Sequence, residues 1–381
     1  MDPERLRRVA RASAAQDPAP ATHVAGPSDL EDAPLTEPPV DDEAATVTFH
    51  LSRDLKKRLD RYLQDRIPFM SRAQLQRLIR EEAVTVNGRV AKPATNLRLG
   101  DVVSVLVPPP PPSEVPAENI PISILHEDAD IIALNKQAGI ITHPARSHKS
   151  GTLVNALAWH FRTSASGTLS DIGADDARPG VIHRLDKDTT GLIIFGKSET
   201  GHLRLAKQFA ARSADKRYLA VVHGRVEPVH DLIDAPIGKH PVTREMQAVR
   251  FDEAGKPSQT VYWVREQYQN FALVELELKT GRTHQIRVHL SYLGWPIVGD
   301  VTYGGIVWPD EGSPIMTRQA LHAVSLRFVH PTLLRRTELL APPAPDFTAL
   351  VSLLRRTRKP VKTLAPAGCR LDIAALLPEL S

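Results

Sequence analysis

Apolar residues follow two regimes along the chain, a short helical one and a longer strand-rich one. Leu51, Leu55, Leu59, Tyr62 and Leu63 recur at helical spacing, which predicts a helix that stops near Ile67-Pro68. Ser71 is a good N-cap for a second helix whose apolar stripe is Leu75, Leu78 and Ile79. Val84-Thr85-Val86 then reads as a strand entering an Asn87-Gly88 turn, and Leu99-Gly100-Asp101 turns the chain into a strand over 102–107. The expected order is helix, helix, then short strands. From Ile120 onward apolar strands alternate with turns, at 131–134, 192–195, 219–222 and 273–278, with helical patterns between them as at 201–211. That pattern predicts a mixed α+β domain of roughly 235 residues.

Composition sets the boundaries between these regimes. Residues 1–45 hold ten acids against four arginines, few aliphatics and no aromatic. Such a stretch cannot bury enough surface to offset its ordering entropy, and it reads as a disordered arm. The arm's net charge of −6 against +4 for the whole chain leaves +10 on the remainder, a balance that suits a polyanionic partner. A compact unit is expected over 46–107. The five prolines Pro108–Pro112 favour extended geometry, so 108–118 reads as a semi-rigid spacer. The strand-rich domain then spans 119–355, and 356–381 reads as a basic, Pro-containing tail. Within it, 371–377 has the pattern of a short helix, equally suited to packing back or to binding a partner.

Cys369 is the lone cysteine of the 381 residues, which excludes an internal disulfide framework and a Cys-rich zinc site. The N-terminus has no apolar stretch of signal-peptide length. No segment approaches the roughly 20 apolar residues that span a bilayer, so the expectation is a soluble, cytoplasmic protein without a membrane partner.

Three polar clusters carry candidate chemistry. The first, Gly180-Val-Ile-His183-Arg184-Leu-Asp186-Lys187-Asp188-Thr-Thr-Gly191, sits just before an apolar strand, where so many polar groups need partners or a function. Taken alone, Asp186 reads more readily as a turn cap or a structural partner of Arg184. The second is Lys216-Arg217-Tyr218, where a single Tyr is ordinarily a half-buried strand residue. The third, Leu278-Lys-Thr-Gly281-Arg282-Thr-His284-Gln-Ile286-Arg287-Val-His289-Leu290, reads as a strand end, a Gly turn and a helix start. The order His-Arg-Leu-Asp differs from a kinase catalytic loop, and no P-loop is present. His284 and His289 lack an intervening Glu and a Cys pair, so zinc is disfavoured.

Between Arg53 and Arg80 nine basic residues face three acids. A solvated pair of amphipathic helices accounts for that, and so does a face that docks on phosphates. LDRYL, SRAQLQRLI, VTVNG and LRLGDVVSV resemble the S4 RNA-binding domain over about 48–107. The resemblance implies RNA contact, with Ser71, Arg72, Gln74 and Arg77 on the second helix as the contacting residues. HRLDKDTTG, KRYLAVVHG and TGRTHQIRVHL, in this order, resemble the RluA-type pseudouridine synthases, as do NKQAGIITHPA and RQALHAVSLRFVHP. That resemblance covers about 120–355. With the S4 module and HPVTREMQAV, it is strongest to the branch acting on large-subunit ribosomal RNA.

The resemblance implies an α+β catalytic domain with a mixed, largely antiparallel sheet behind a small S4 domain. It also implies isomerisation of uridine, which oxidises nothing and imports no group, so no cofactor and no metal are expected. Asp186 matches the catalytic Asp, acting as nucleophile or base at the sugar–base junction. Arg287 matches its salt-bridge partner, and Tyr218 an active-site Tyr that packs on the base and helps late proton removal. Ile286 would form an apolar wall, Arg184 would insert beside an extruded nucleotide, and His183 would orient the loop. Arg282 and His284 complete the substrate-binding set. The same chemistry on tRNA is the alternative within enzymes, since the catalytic motifs are common to both, whereas Asp186, Tyr218 and Arg287 together argue against a non-catalytic role in ribosome assembly. A charge pair that costs desolvation has no use in a scaffold.

Overall fold

The computed structural model describes residues 45–378, except 55–56, 69, 71, 108–114, 145–149, 165, 174–177, 244, 307–313 and 359–361. The acidic arm, the five prolines and Ser71 therefore lie outside the described residues. Backbone contacts divide the chain after Ser113 into two units, each with its own core.

The first unit opens on a strand, not a helix. β1 (Ala45–His50) alternates inward Val47 and Phe49 with outward Thr46 and Thr48. It is followed by α1 (Leu59–Arg66), α2 (Arg72–Arg80), β2 (Val84–Val86), β3 (Arg89–Val90) and β4 (Val102–Val107). The helical spacing that begins at Leu51 is thus misleading. Leu51 enters the core from a loop, and the residues before it pair along the full length of β4 in a sheet of order β1-β4-β2-β3. The Asn-Gly turn is as expected, with positive φ at Asn87 (52°) and Gly88 (74°) joining β2 to β3. Asp60, fully buried on α1, accepts from Arg58 and from Gln76 of α2 at 3.1 Å, which fixes one helix against the other.

The second unit begins with β5 (Ser123–Glu127), β6 (Ile131–Lys136), α3 (Leu153–Ser164), β7 (Thr190–Gly196) and α4 (Glu199–Ala210). β8 (Asp215–His223), β9 (His230–Asp234) and the hairpin β10 (Ile237–Lys239) and β11 (Gln247–Val249) follow. Next come β12 (Gln259–Tyr268), β13 (Phe271–Leu278), α5 (Gln285–Tyr292), β14 (Leu321–Val329), β15 (Arg336–Leu340) and α6 (Pro345–Arg358). β16 (Lys362–Thr363) and α7 (Ile373–Leu376) close the chain. One ten-stranded sheet runs β16-β12-β13-β8-β14-β7-β6-β5, with β15 on β14 and β9 on β12. Its pairings are antiparallel except β14 with β7, so the sheet is mixed and largely antiparallel as expected.

That parallel pairing requires a glycine. Gly191 has φ of +110°, and a Cβ there would lie 2.2 Å from the Ala323 carbonyl oxygen of β14. The C-terminal residues do not stand apart as a tail. β16 pairs with β12, and Leu371, Ile373 and Leu377 are buried in the main core. Their apolar spacing is interpretable only once the sheet they cover exists.

Candidate active site

The His183–Asp188 segment is pinned from several sides before it enters β7. Leu185 is buried and anchors the segment by its side chain. The Ile194 amide donates to His183 Nε2 at 3.1 Å, and the His183 ring stacks on Phe209. Burial, with Lys216 nearby, pushes the His183 pKa down to about 3, so the ring is a neutral acceptor and a positioning group. Thr189 N–H closes a turn onto the Asp186 carbonyl at 3.2 Å. Lys136, at the end of β6, donates to the carbonyls of Gln137 (2.9 Å) and Lys187 (2.7 Å). Burial brings its pKa down to about 7 against the opposing pull of Asp188 and Asp186. Arg318 donates to the Asp188 carbonyl at 3.1 Å. Held this way, the backbone presents the Asp186 carboxylate to a cleft.

The second wall is the turn from β13 into α5, and Gln285 staples it. Its Oε1 accepts from the Thr280 hydroxyl (2.7 Å) and the Arg282 amide (3.0 Å), while its Nε2 donates to the Gln259 carbonyl and Thr260 hydroxyl at 2.9 Å. The turn ends in His284, left-handed at φ 57°. Ile286 and Arg287 follow on the buried first turn of α5.

Arg287 is the electrostatic centre. Its Nε and Nη2 form a fork on Asp300 at 2.7 and 2.8 Å, and its Nη1 reaches Asp186 Oδ2 at 3.3 Å. The guanidinium also lies 4.9 Å from the centre of the Tyr303 ring. Burial opposes its charge, yet the Asp300 and Asp186 carboxylates outweigh that and hold it above its ordinary pKa. The Tyr303 hydroxyl meets His284 Nδ1 at 2.8 Å and accepts from the Gln247 amide at 2.9 Å. His284 Nε2 stands 4.0 Å from Asp186 Oδ1, and burial lowers its pKa despite that carboxylate.

A cleft of about 410 Å³ opens beside this arrangement, lined by His183, Arg184, Asp186, Phe209, Lys216, Tyr218 and the 278–283 turn. A second space of about 280 Å³, on the side of His284, Arg287 and Asp300, also touches Arg184 and Asp186. A slot of about 60 Å³ between Tyr218, Arg282, Ile286 and Arg287 touches both again. Asp186, Tyr218, Arg287, Arg184, His183, Ile286, Arg282 and His284 are thereby brought together, with exposed Arg184 at the mouth. Tyr218 is 6% exposed, and burial followed by the Asp186 carboxylate raises its pKa well above the ordinary phenol range. Half-buried Lys216 has its pKa lowered by desolvation and Arg212 against Asp215.

In the first unit Arg77 is exposed and pairs only loosely with Glu81, at 3.4 Å along the same helix. Gln74 is half-buried. Arg72 opens α2, and its side chain, like Ser71, is outside the described residues.

Sequence reasoning missed Asp300, Lys136, Gln285 and Tyr303. A Lys ending the apolar run of β6 was a legible signal, whereas Asp300 sits in a Gly-Asp turn that looks like any other. Away from the cleft, His126, Asp128 and His330 converge on one another. His330 Nδ1 accepts the Leu333 amide at 3.2 Å, so its proton is on Nε2, donated to Asp128 at 2.8 Å. The group closes on its own hydrogen bonds, and they account for it without an ion.

The RNA pseudouridylate synthase family model matches residues 130–292, and the S4 domain model matches 57–103. An uncharacterised RNA pseudouridine synthase of Aquifex aeolicus is 42% identical over 283 residues, 73% of this chain and 87% of that protein. The chain belongs to the RNA pseudouridine synthase family. Ribosomal large subunit pseudouridine synthase D of Pseudomonas aeruginosa is 38% identical over 324 residues, covering 83% of this chain and 97% of the relative. Human RNA pseudouridylate synthase domain containing 1 superposes with a TM-score of 0.50 at 25% identity, over 66% of this chain and 94% of that one. This pseudouridine synthase is thus an isomerase with an S4 RNA-binding module. Among the described residues no helix is long and apolar enough to cross a membrane.

Proposed function

We propose that this synthase isomerises specific uridines of large-subunit ribosomal RNA in the cytoplasm, with Asp186 acting at the base–ribose junction of a nucleotide turned out of its helix. The observation that carries the reading is the Asp186 carboxylate itself. It faces all three spaces of the site, and one of its oxygens is steadied by an arginine that Asp300 orients. The target choice is supported by relatives named for the large ribosomal subunit in Pseudomonas aeruginosa and Zymomonas mobilis, by the S4 unit, and by the +10 charge beyond the arm.

The reaction breaks the N1–C1′ bond, turns the base and forms a C5–C1′ bond. C5 gives up a proton and N1 takes one, so atoms and electrons balance without a cofactor. Asp186 serves at the ribose as nucleophile or base, and Arg287 orients its carboxylate. Burial that keeps the Tyr218 phenol protonated favours its role as a packing surface for the base over that of a base for C5. Ile286 supplies the facing apolar wall, and Arg184 at the mouth fills the gap that the flipped nucleotide leaves, a step costing a few kcal/mol.

Asp186→Asn keeps shape and hydrogen bonding, so RNA affinity should stay within a few-fold while turnover falls by about 10²–10⁴-fold or more. Turnover above a few per cent of wild type rejects Asp186 as the catalytic group. Pseudouridine mapping of total RNA from cells with and without the protein tests the substrate. Loss at defined large-subunit positions is expected, and loss confined to tRNA overturns that assignment.

A further inference from the structure

A second cleft of about 640 Å³ lies on the other side of the α4 C-terminal turn. It is lined by Gln208, Ser213, Asp215, Arg327, Arg336 and Arg370, with Phe328, Val329, Thr337 and Glu338 completing its wall. The two clefts share a partition one residue thick. Phe209, Arg212 and Lys216 face the catalytic cleft, and their immediate neighbours Gln208, Ser213 and Asp215 face the second. Arg212, left-handed at φ 58°, lines the catalytic cleft.

The second cleft sets three arginines and two carboxylates, Asp215 and Glu338, beside the apolar surface of Phe328 and Val329. Arg370 is half-exposed and leans on Asp215, whose other oxygen is taken by the buried Arg217. Arg327, also partly exposed, pairs with Glu338 at 2.8 Å. Arg336, at the start of β15, is exposed, and its side chain makes no hydrogen bond or ion pair among the described residues. Two arginines are thus already oriented by carboxylates, and a third points outward without one. All three line the same cleft.

We propose that this second cleft binds the ribose-phosphate backbone of the RNA strand flanking the target nucleotide, with Arg336 and Arg370 as phosphate contacts. The proposal rests on an RNA substrate and not on which RNA that is. Guanidinium groups suit phosphate oxygens through their forked donors, and backbone contacts of this kind set register without reading bases.

The test uses the full chain carrying Arg336→Ala or Arg336→Glu, neither of which removes a structural partner. Single-turnover rates are measured across RNA concentration and salt on two substrates, a minimal target hairpin and the same hairpin with flanking strands. With the long substrate, Arg336→Glu should raise the half-saturating concentration about tenfold and leave the saturated rate unchanged. Arg336→Ala should flatten the log–log salt slope by roughly 0.7–0.9, the share of one phosphate. With the minimal hairpin both variants should match wild type, and millimolar inorganic phosphate should not mimic the long strand. Equal behaviour of variants and wild type on the long substrate overturns the proposal. So does a lowered saturated rate at unchanged half-saturation, which would make the β14–β15 hairpin a support of catalytic geometry instead. If ribosomal RNA proves not to be the substrate, the same comparison is made on whichever RNA turns over, or by equilibrium binding to Asp186→Asn protein. Failure of the ribosomal assignment therefore reads separately from failure of the second cleft.

Discussion

The basic face of the S4 unit and the cleft of the catalytic unit both concentrate cations, but they hold them in opposite ways. Arg77 is 63% exposed, and its carboxylate partner is a loose neighbour on its own helix. Arg287 is 8% exposed and is gripped by Asp300, Asp186 and the Tyr303 ring. Exposed cations contribute affinity through released counterions, each acting nearly alone, so one can be lost at modest cost. A buried cation is set by geometry, and removing any partner strands a charge away from water. One region is built to be summed and the other to be kept whole.

The contrast breaks first at Asp300. Asp300→Ala should destabilise the fold by about 3–5 kcal/mol, because it leaves Arg287 buried with half its partners. Turnover should collapse as the guanidinium loses its orientation on Asp186. Calorimetry and single-turnover rates check this, and Asp300→Asn, which retains an acceptor oxygen for one hydrogen bond, should lie between. A wild-type melting temperature for Asp300→Ala would erase the distinction. Arg77→Ala, by contrast, should change stability by no more than about 0.5 kcal/mol.

Deleting residues 1–112 should weaken RNA binding and flatten its salt dependence, with the rate at saturating RNA little changed, since Asp186, Tyr218 and Arg287 all lie in the other unit. Filter binding across a salt series, beside a single-turnover tritium-release assay, reads both quantities. A saturated rate lowered by orders of magnitude at intact affinity would mean that the S4 unit completes the catalytic site.

Acid should act on the kept-whole region. Burial, with Arg178 and Arg184 nearby, lowers His143 to about 4; burial and Lys216 bring His183 to about 3; burial brings His322 to about 4. All three lie below the ordinary value of about 6.5. As pH falls, the unfolded chain therefore takes up these protons first. Their contribution is complete above pH 6.5 and is lost progressively between about 6.5 and 3. Melting temperature across that window should fall. His322→Gln, which retains a donor and an acceptor toward the Thr190 hydroxyl and the Ala341 carbonyl, should make the decline shallower. The smallest effect is expected from removing residues 1–43, which ends short of β1. Melting temperature and turnover should hardly move, and a fall of many degrees would show that the arm packs on a folded unit.

What could be read from the sequence follows the range of the interactions involved. The clusters around Asp186, Tyr218 and Arg287 are each local and dense, and apolar strands flank them, so both motif and element were visible. β1 was not, because Leu51 and Leu59 mimic a helical stripe and the pairing that makes 45–50 a strand comes from Val102–Val107. Asp300 escaped because its meaning lies in Arg287, across a turn whose shape no periodicity encodes. The C-terminal residues looked like a tail for the same reason. Arg265 and Arg217 donate to the carbonyls of Leu364, Leu371 and Gly368, and Glu275 accepts from the amides of Arg370 and Leu371, all on a sheet formed far upstream.

Those last contacts fix an order of events during synthesis. Chains emerge N-terminus first, and compact units fold as they become complete. The S4 unit closes within its own first hundred-odd residues, so it can take shape while the rest is still being made. β8, which carries Tyr218, has its reverse face completed only when residues 364–371 arrive. A nascent or prematurely terminated chain would therefore be able to hold RNA before it could modify any. Competence for chemistry should come only once residues 364–371 have joined the sheet.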